Sequence, residues 1–188
     1  KTYDGSVTAT MDGTAAVYSG LVSGDTFNGS YTGVFSDKNV GVGKTVTITP
    51  SYSGADVSNY NITDQTSTTA DISAKSLTAT ATASNKTYNA TNSASVTLTL
   101  SGLVGSETLG STNTSTFNNK NVGTGKTVTV NTITLADGSG LAANYSISAG
   151  QTTTANITAK SLTVSGITAS NKTYDGSTNA TLDASLVA

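Results

Sequence analysis

The stretch Gly41-Val42-Gly43-Lys44-Thr45, and its copy Gly123-Thr124-Gly125-Lys126-Thr127, end like a phosphate-binding loop, in which backbone amides and a lysine cradle phosphate oxygens. That chemistry needs a further glycine upstream and a helix after the lysine. Lys38 and Lys120 stand where the glycine belongs, and a Thr-Val-Thr run follows, so both copies read as turns feeding a strand. A second chemistry is a spontaneous lysine–asparagine amide, formed beside a buried acid with loss of ammonia. Lys38 or Lys44 with Asn59 and Asp25 make one such set, and Lys120 or Lys126 with Asn144 and Glu107 its copy. The ordinary reading of the same lysines is that they are solvated and discourage strand edges from pairing.

The remaining candidates are weaker. Asp12, Asp25, Asp56 and Asp137 sit singly in glycine-rich turns, whereas calcium takes about six to eight oxygens, several from one loop. Only an ion shared between loops would fit, and no metal ligand is assigned. Tyr3, Tyr88 and Tyr174 each follow Lys-Thr, and Tyr60 and Tyr145 each follow Asn, which places them in the core or between units with the hydroxyl reaching a partner. Tyr18, Tyr31 and Tyr52 occur in one copy alone and are the better candidates for a sugar-stacking platform. The chain has no His, Cys or Arg and one Glu, Glu107, so general acid–base and nucleophilic catalysis have almost nothing to work with. No catalytic residue and no cofactor is expected.

Composition narrows the partners. The 188 residues carry a net charge of −2, and all nine basic residues are lysine, which leaves no clustered positive surface for nucleic acid. No apolar run approaches the roughly 18 residues that span a bilayer. Absence of Cys suits the cytosol or long bacterial surface proteins alike, and Thr, Ser, Asn and Gly richness favours the exterior.

These residues are positioned by a repeat. The stretch TTADISAKSLTATATASNKTYNA from Thr68 returns from Thr153 as TTANITAKSLTVSGITASNKTYDGS, and Lys1, Lys86 and Lys172 lie 85 and 86 residues apart. Around the seam the apolar phase flips. Ala70, Ile72 and Ala74 lie on even positions and Leu77, Ala79, Ala81 and Ala83 on odd ones, so the buried face turns over at Lys75-Ser76. This predicts a strand that serves two separate interiors in turn, with little linker and restricted hinge motion. The divisions are a first unit, 1–74, lacking its leading strand, a second and complete unit, 75–159, and the start of a third, 160–188.

Within a unit, alternation predicts about six or seven short strands, the count of an all-β sandwich or small barrel. Residues 8–18 read as a strand interrupted at Met11-Asp12-Gly13, and residues 60–63 as a further strand. The segments before Asn59-Tyr60 and Asn144-Tyr145 allow one helical turn at most. Pro50 should end, bulge or edge its strand, and the phase slip from Val130 to Ile133 marks a bulge in the copy. Asp4-Gly5 reads as a turn with a left-handed glycine, but Asn89-Ala90 in its place argues that this conformation is not general. Both ends of the chain fall inside a unit, which suggests an excerpt whose incomplete ends either fray or join, one molecule's tail completing another's head.

The ordered motifs KTYDGS at Lys1 and Lys172, GLVSGDT at Gly20, FSDKNVGVGKTVTI at Phe35, Gly54-Ala55-Asp56 with Asn59-Tyr60, and TTADISAKSLT at Thr68 resemble the YDG repeat domain. That family is related to MBG-type domains and occurs in tandem in large bacterial surface and secreted proteins such as filamentous-haemagglutinin-like adhesins. The resemblance implies all-β, sandwich-like domains stacked end to end, with β-grasp-like units as the alternative. It also implies a non-catalytic extracellular stalk or self-assembling fibre in adhesion or biofilm, on the bacterial surface or secreted. The repeat motif residues are Lys1, Tyr3, Asp4, Gly5, Lys86, Tyr88, Lys172, Tyr174, Asp175 and Gly176, with Asn39, Gly41, Gly43, Asn121, Gly123 and Gly125. The expected partners are neighbouring repeats, other copies joined through the incomplete ends, and a host or bacterial surface ligand. The alternative function is a glycan- or protein-binding module in each repeat, acting through loops such as residues 135–143.

Overall fold

The computed structural model describes residues 1–183. The fold is all-β. In chain order the strands are β1 (Thr8–Ala9), β2 (Asn28–Phe35), β3 (Gly41–Ser53), β4 (Ser67–Ile72), β5 (Lys75–Ser76), β6 (Thr78–Ala83), β7 (Lys86–Thr87), β8 (Val96–Ser101), β9 (Leu109–Phe117), β10 (Gly123–Asp137), β11 (Tyr145–Ser146), β12 (Thr152–Thr158), β13 (Thr168–Ala169) and β14 (Leu182–Asp183). Short 3-10 turns at Val57–Asn59 and Ala142–Asn144 are the only helical elements among the described residues.

Two four-stranded sheets form the frame, one in order β1-β2-β3-β4 and the other β7-β12-β10-β9. The long strands β3 and β10 are central in each, because their Thr/Val alternation gives one apolar face; Val46, Val128 and Val130 are at most 1% exposed. The two sheets repeat each other in detail. The hairpins β2–β3 and β9–β10 are antiparallel, as are β3–β4 and β10–β12. A parallel step follows in both: Thr2 bridges Ser73 in the first copy, and β7 pairs with β12 in the second.

Glycine sets the irregularities. The register of β3 against β4 shifts between Gly41 and Lys44, and that of β10 against β12 between Gly123 and Lys126. Gly43 (φ +62) and Gly125 (φ +59) supply the left-handed residue of each bulge, so the glycines lie within the strand and not in a turn before it. Between Val130 and Thr132 the β9–β10 register shifts again, which is the slip seen in the alternation. Pro50 pairs with Tyr31 on one side only; β4 pairs no further along β3 than Thr47, so the missing proline N–H faces no ladder.

Of two strands expected in the first copy, residues 8–18 form only β1 at Thr8–Ala9 and residues 60–63 form none. In the second copy β6 and β8 form an antiparallel pair facing the main sheet, and β11 pairs in parallel with β5. In the first copy β8's counterpart, residues 14–19, and β11's counterpart at Tyr60-Asn61 are irregular.

The expectation of two separate interiors is corrected. One buried cluster joins Tyr3, Phe35, Val46 and Ile72 of the first copy to Leu77 and Tyr145 of the second. Ile72 and Leu77 are 1% and 5% exposed, so the phase flip is present, but both sides of it lead into the same core across the β5–β11 pair. A second cluster of Phe117, Val128, Ala155 and Ile157 lies at the far end of the second copy.

Candidate functional site: the junction between the two copies

The Lys-Thr-Tyr-Asp-Gly-Ser turn is built by its own side chains. Lys1 Nζ donates to Asp4 Oδ1 (2.7 Å) and to the carbonyls of Ser6 (2.8 Å) and Thr8 (3.0 Å), while Ser6 N–H donates to Asp4 Oδ1 (2.8 Å). The Lys1 ammonium holds the Asp4 carboxyl down at about 2. The turn recurs with part of this set each time: Lys86 Nζ reaches the Thr91 and Ser93 carbonyls (2.8 and 2.9 Å), and Lys172 Nζ reaches Asp175 Oδ1 and the Ser177 carbonyl (both 2.8 Å). Gly5 (φ +78), Ala90 (φ +65) and Gly176 (φ +74) all take the left-handed conformation. The conformation is therefore general, and Ala90 adopts it against its steric preference.

The three turns differ in what covers the tyrosine. Tyr3 is 2% exposed, Tyr88 is half-buried and Tyr174 is 94% exposed. Tyr3 meets Tyr145 of the second copy edge-to-face with ring centroids 5.4 Å apart. The hydroxyls of Tyr3 and Tyr145 each donate to Glu107, one to Oε1 and one to Oε2, both at 2.7 Å. Tyr145 Oη also accepts from Val104 N–H at 3.0 Å, and Lys38 Nζ lies 3.4 Å from Glu107 Oε1. Beside them Asn144, 1% exposed, accepts from Val40 N–H (2.9 Å) and donates to Asn39 Oδ1 (3.0 Å). A β-carbon at Gly5 would stand 2.9 Å from Val104 Cγ1, so the glycine also permits close approach of the next copy.

The electrostatics follow from these donors. The Tyr145 and Tyr3 hydroxyls, with Lys38, hold the Glu107 carboxyl below its ordinary range. Burial first, and then Glu107, push both phenols up. Glu107 beside Lys38 raises that amine. A carboxylate kept ionised between two neutral phenols is a hydrogen-bond hub and offers no proton to a reaction at neutral pH.

The other candidates are dispersed. Gly43 N–H donates to Asp71 Oδ1 (2.7 Å) and Gly125 N–H to Asn156 Oδ1 (2.8 Å), so the amides that would cradle phosphate are bonded to the adjoining strand. Asn39 and Asn121 stand in Asx turns, their N–H groups on Asp37 and Asn119 (2.8 and 3.0 Å). Those same side chains take Lys44 and Lys126 (both 2.7 Å). Gly41 and Gly123 open β3 and β10. Of the within-copy cross-link sets, Asp25 is engaged by Tyr60 Oη (2.5 Å), and Lys44 and Lys126 are committed as described. Lys38 does meet Glu107, but across copies, while Asn144 bonds Val40 and Asn39 beside it. Among the described residues no three His, Cys, Asp or Glu side chains are grouped as ligands for a cation. No helix of the described residues is long and apolar enough to cross a membrane.

Comparison with known proteins places the chain. Residues 1–69 and 73–155 each match the YDG domain, and the chain belongs to that family. No curated protein and no solved structure matched it.

Proposed function

We infer that the chain is a non-catalytic structural segment of a bacterial extracellular adhesin or fibre, repeating in tandem and acting as a stiff stalk or a self-assembling filament in adhesion or biofilm. The junction carries this reading: Tyr3 of the first copy packs on Tyr145 and donates to Glu107 of the second within one buried core, so bending there would open an apolar cluster and strip the Tyr3 phenol of its acceptor. Stiffness thus comes from a shared interior, a tighter constraint than a short linker alone. The loop of residues 135–143 is tied to its own sheet, with Ala142 N–H on Asp137 Oδ1 (2.7 Å) and Thr108 N–H on Ser139 Oγ (2.8 Å), which suits a spacer better than an adaptable binding loop.

The test places the chain between a surface anchor and a known adhesive tip and replaces residues 138–141 by a Gly-Ser linker. A stalk retains full tip-dependent adhesion and gains none of its own. Adhesion by the tipless chain that disappears with the loop would overturn the reading in favour of a binding module.

A further inference from the structure

In the second copy the segments by which the chain enters lie beside those by which it leaves, and neighbours run in the same direction. Entering β5 pairs in parallel with β11 (Tyr145↔Lys75, Ser146↔Ser76), and β7 pairs in parallel with β12 (Ile157↔Lys86, Thr158↔Thr87). Leu77 N–H donates to the Ser146 carbonyl and Tyr88 N–H to the Thr158 carbonyl, both at 2.8 Å. Asn85 Oδ1 accepts from Asn156 N–H at 2.7 Å, a side-chain bond between the same entering and leaving segments. The leaving strand is held on its other edge too, since β12 lies between β7 and β10. Ala155 and Ile157, 5% and 1% exposed, root it in the core.

The first copy makes the same parallel contact between Thr2 and Ser73, where Tyr3 N–H donates to the Ser73 carbonyl (2.8 Å) and Ser73 N–H to the Lys1 carbonyl (2.9 Å). The chain is therefore held by the first copy at Ser73 and by the second at Lys75, with one residue between. Tension along the chain draws β5 and β7 toward their N-terminal ends and β12 toward its C-terminal end. Between parallel neighbours these pulls are opposed along one axis, so the bonds of the ladder are loaded together and not one after another. Gripped on both edges, β12 offers no free edge from which peeling could start.

We propose that the unit is a force-bearing clamp, in which the β7–β12 pair, backed by β5–β11, resists tension along the chain by shear. The step from Ser73 to Lys75 hands the load from one copy to the next without slack. Both members of both pairs lie within residues 75–158. The proposal deepens the stalk reading and rests on it, because a stiff spacer need not withstand pulling.

The experiment is single-molecule force spectroscopy on the 188-residue chain, which has no cysteine, so that introduced thiols alone carry the handles. Handles at the two ends load the clamp axially. Handles at Thr116→Cys and Thr152→Cys, which lie opposite Thr129 on its two sides, load the same sheet transversely. Axial release of residues 75–158, recognised by a contour gain of roughly 3.5 Å per residue, should be one abrupt event at a higher force than transverse opening. Asn85→Ala changes an exposed side chain and should keep the fold by circular dichroism. It should shorten the axial lifetime at constant force about fivefold, the effect of one lost hydrogen bond. The transverse lifetime should be unchanged, because the β7–β12 edge lies outside the span between those handles. Axial release at a force no higher than transverse opening, or an Asn85→Ala loss equal in both directions, overturns the proposal. Either result leaves the stalk reading to the anchored-tip adhesion assay, whose outcome these forces do not decide.

Discussion

The two copies carry the same clasp in two settings. In each, a tyrosine hydroxyl donates to an acid and accepts from the N–H of a valine: Tyr60 with Asp25 and Val22, and Tyr145 with Glu107 and Val104. Around the second clasp the half-buried residues are aliphatic, Leu100, Leu109 and Leu135, and Tyr3 of the first copy seals it. Around the first, the matching positions hold Tyr18, Phe27 and Tyr52, and the site is open. These rings pack on one another at tilted angles, Tyr18 with Phe27 at 4.8 Å and Phe27 with Tyr52 at 5.2 Å; the Tyr18 hydroxyl bonds that of Tyr31 and the Tyr52 hydroxyl donates to Asp64. The clasp is therefore a property of one copy, whereas its burial is conferred by a neighbour.

That contrast is broken most strongly at the sealing ring. Tyr3→Ala should lower stability by about 4 kcal/mol, the cost of emptying a fully buried aromatic site, and Tyr18→Ala by about 1 kcal/mol, because its site already meets solvent. Urea unfolding of the two variants checks the ratio. Next, Glu107→Ala leaves two buried phenols without their acceptor and should cost about 3 kcal/mol, against about 1 kcal/mol for Asp25→Ala, which strands one half-exposed phenol. Equal losses would mean that the junction adds nothing to the clasp.

The third pair of variants concerns the turn. Gly5→Ala meets both a left-handed backbone and Val104, and should destabilise by about 2 kcal/mol; Ala90→Gly relieves the same strain and should stabilise by about 1 kcal/mol. The smallest effect is that of pH. Glu107 has a folded pKa below its ordinary value, so its contribution is complete above the usual glutamate range and is lost as pH falls through and below that range. The phenols have raised values, so their contribution is lost as pH rises past the ordinary tyrosine range. The melting temperature of the wild type should fall toward both extremes, and the acid limb should flatten in Glu107→Gln.

What the sequence discloses here is mostly local. The Thr/Val alternation marks β3 and β10, and the slip from Val130 to Ile133 marks a bulge, because side-chain period and backbone register are the same fact seen twice. The junction is not local. Tyr3 and Glu107 are 104 residues apart in the chain, and nothing in the spacing of either announces the other. Repeat reasoning confined the acid, lysine and asparagine to a single copy, whereas Lys38 comes from one copy and Glu107 and Asn144 from the next. The left-handed Ala90 was hidden for a different reason: Lys86 and Asn89 hold the turn firmly enough to impose on alanine a conformation that glycine adopts freely.

Residual dipolar couplings of backbone amides in both copies of the intact chain test the shared interior most directly. One alignment tensor should fit the β2–β3–β4 sheet and the β9–β10–β12 sheet together, and Glu107→Ala should separate them. Two tensors of different magnitude in the wild type would mean that the copies reorient independently, and the junction would then be a hinge.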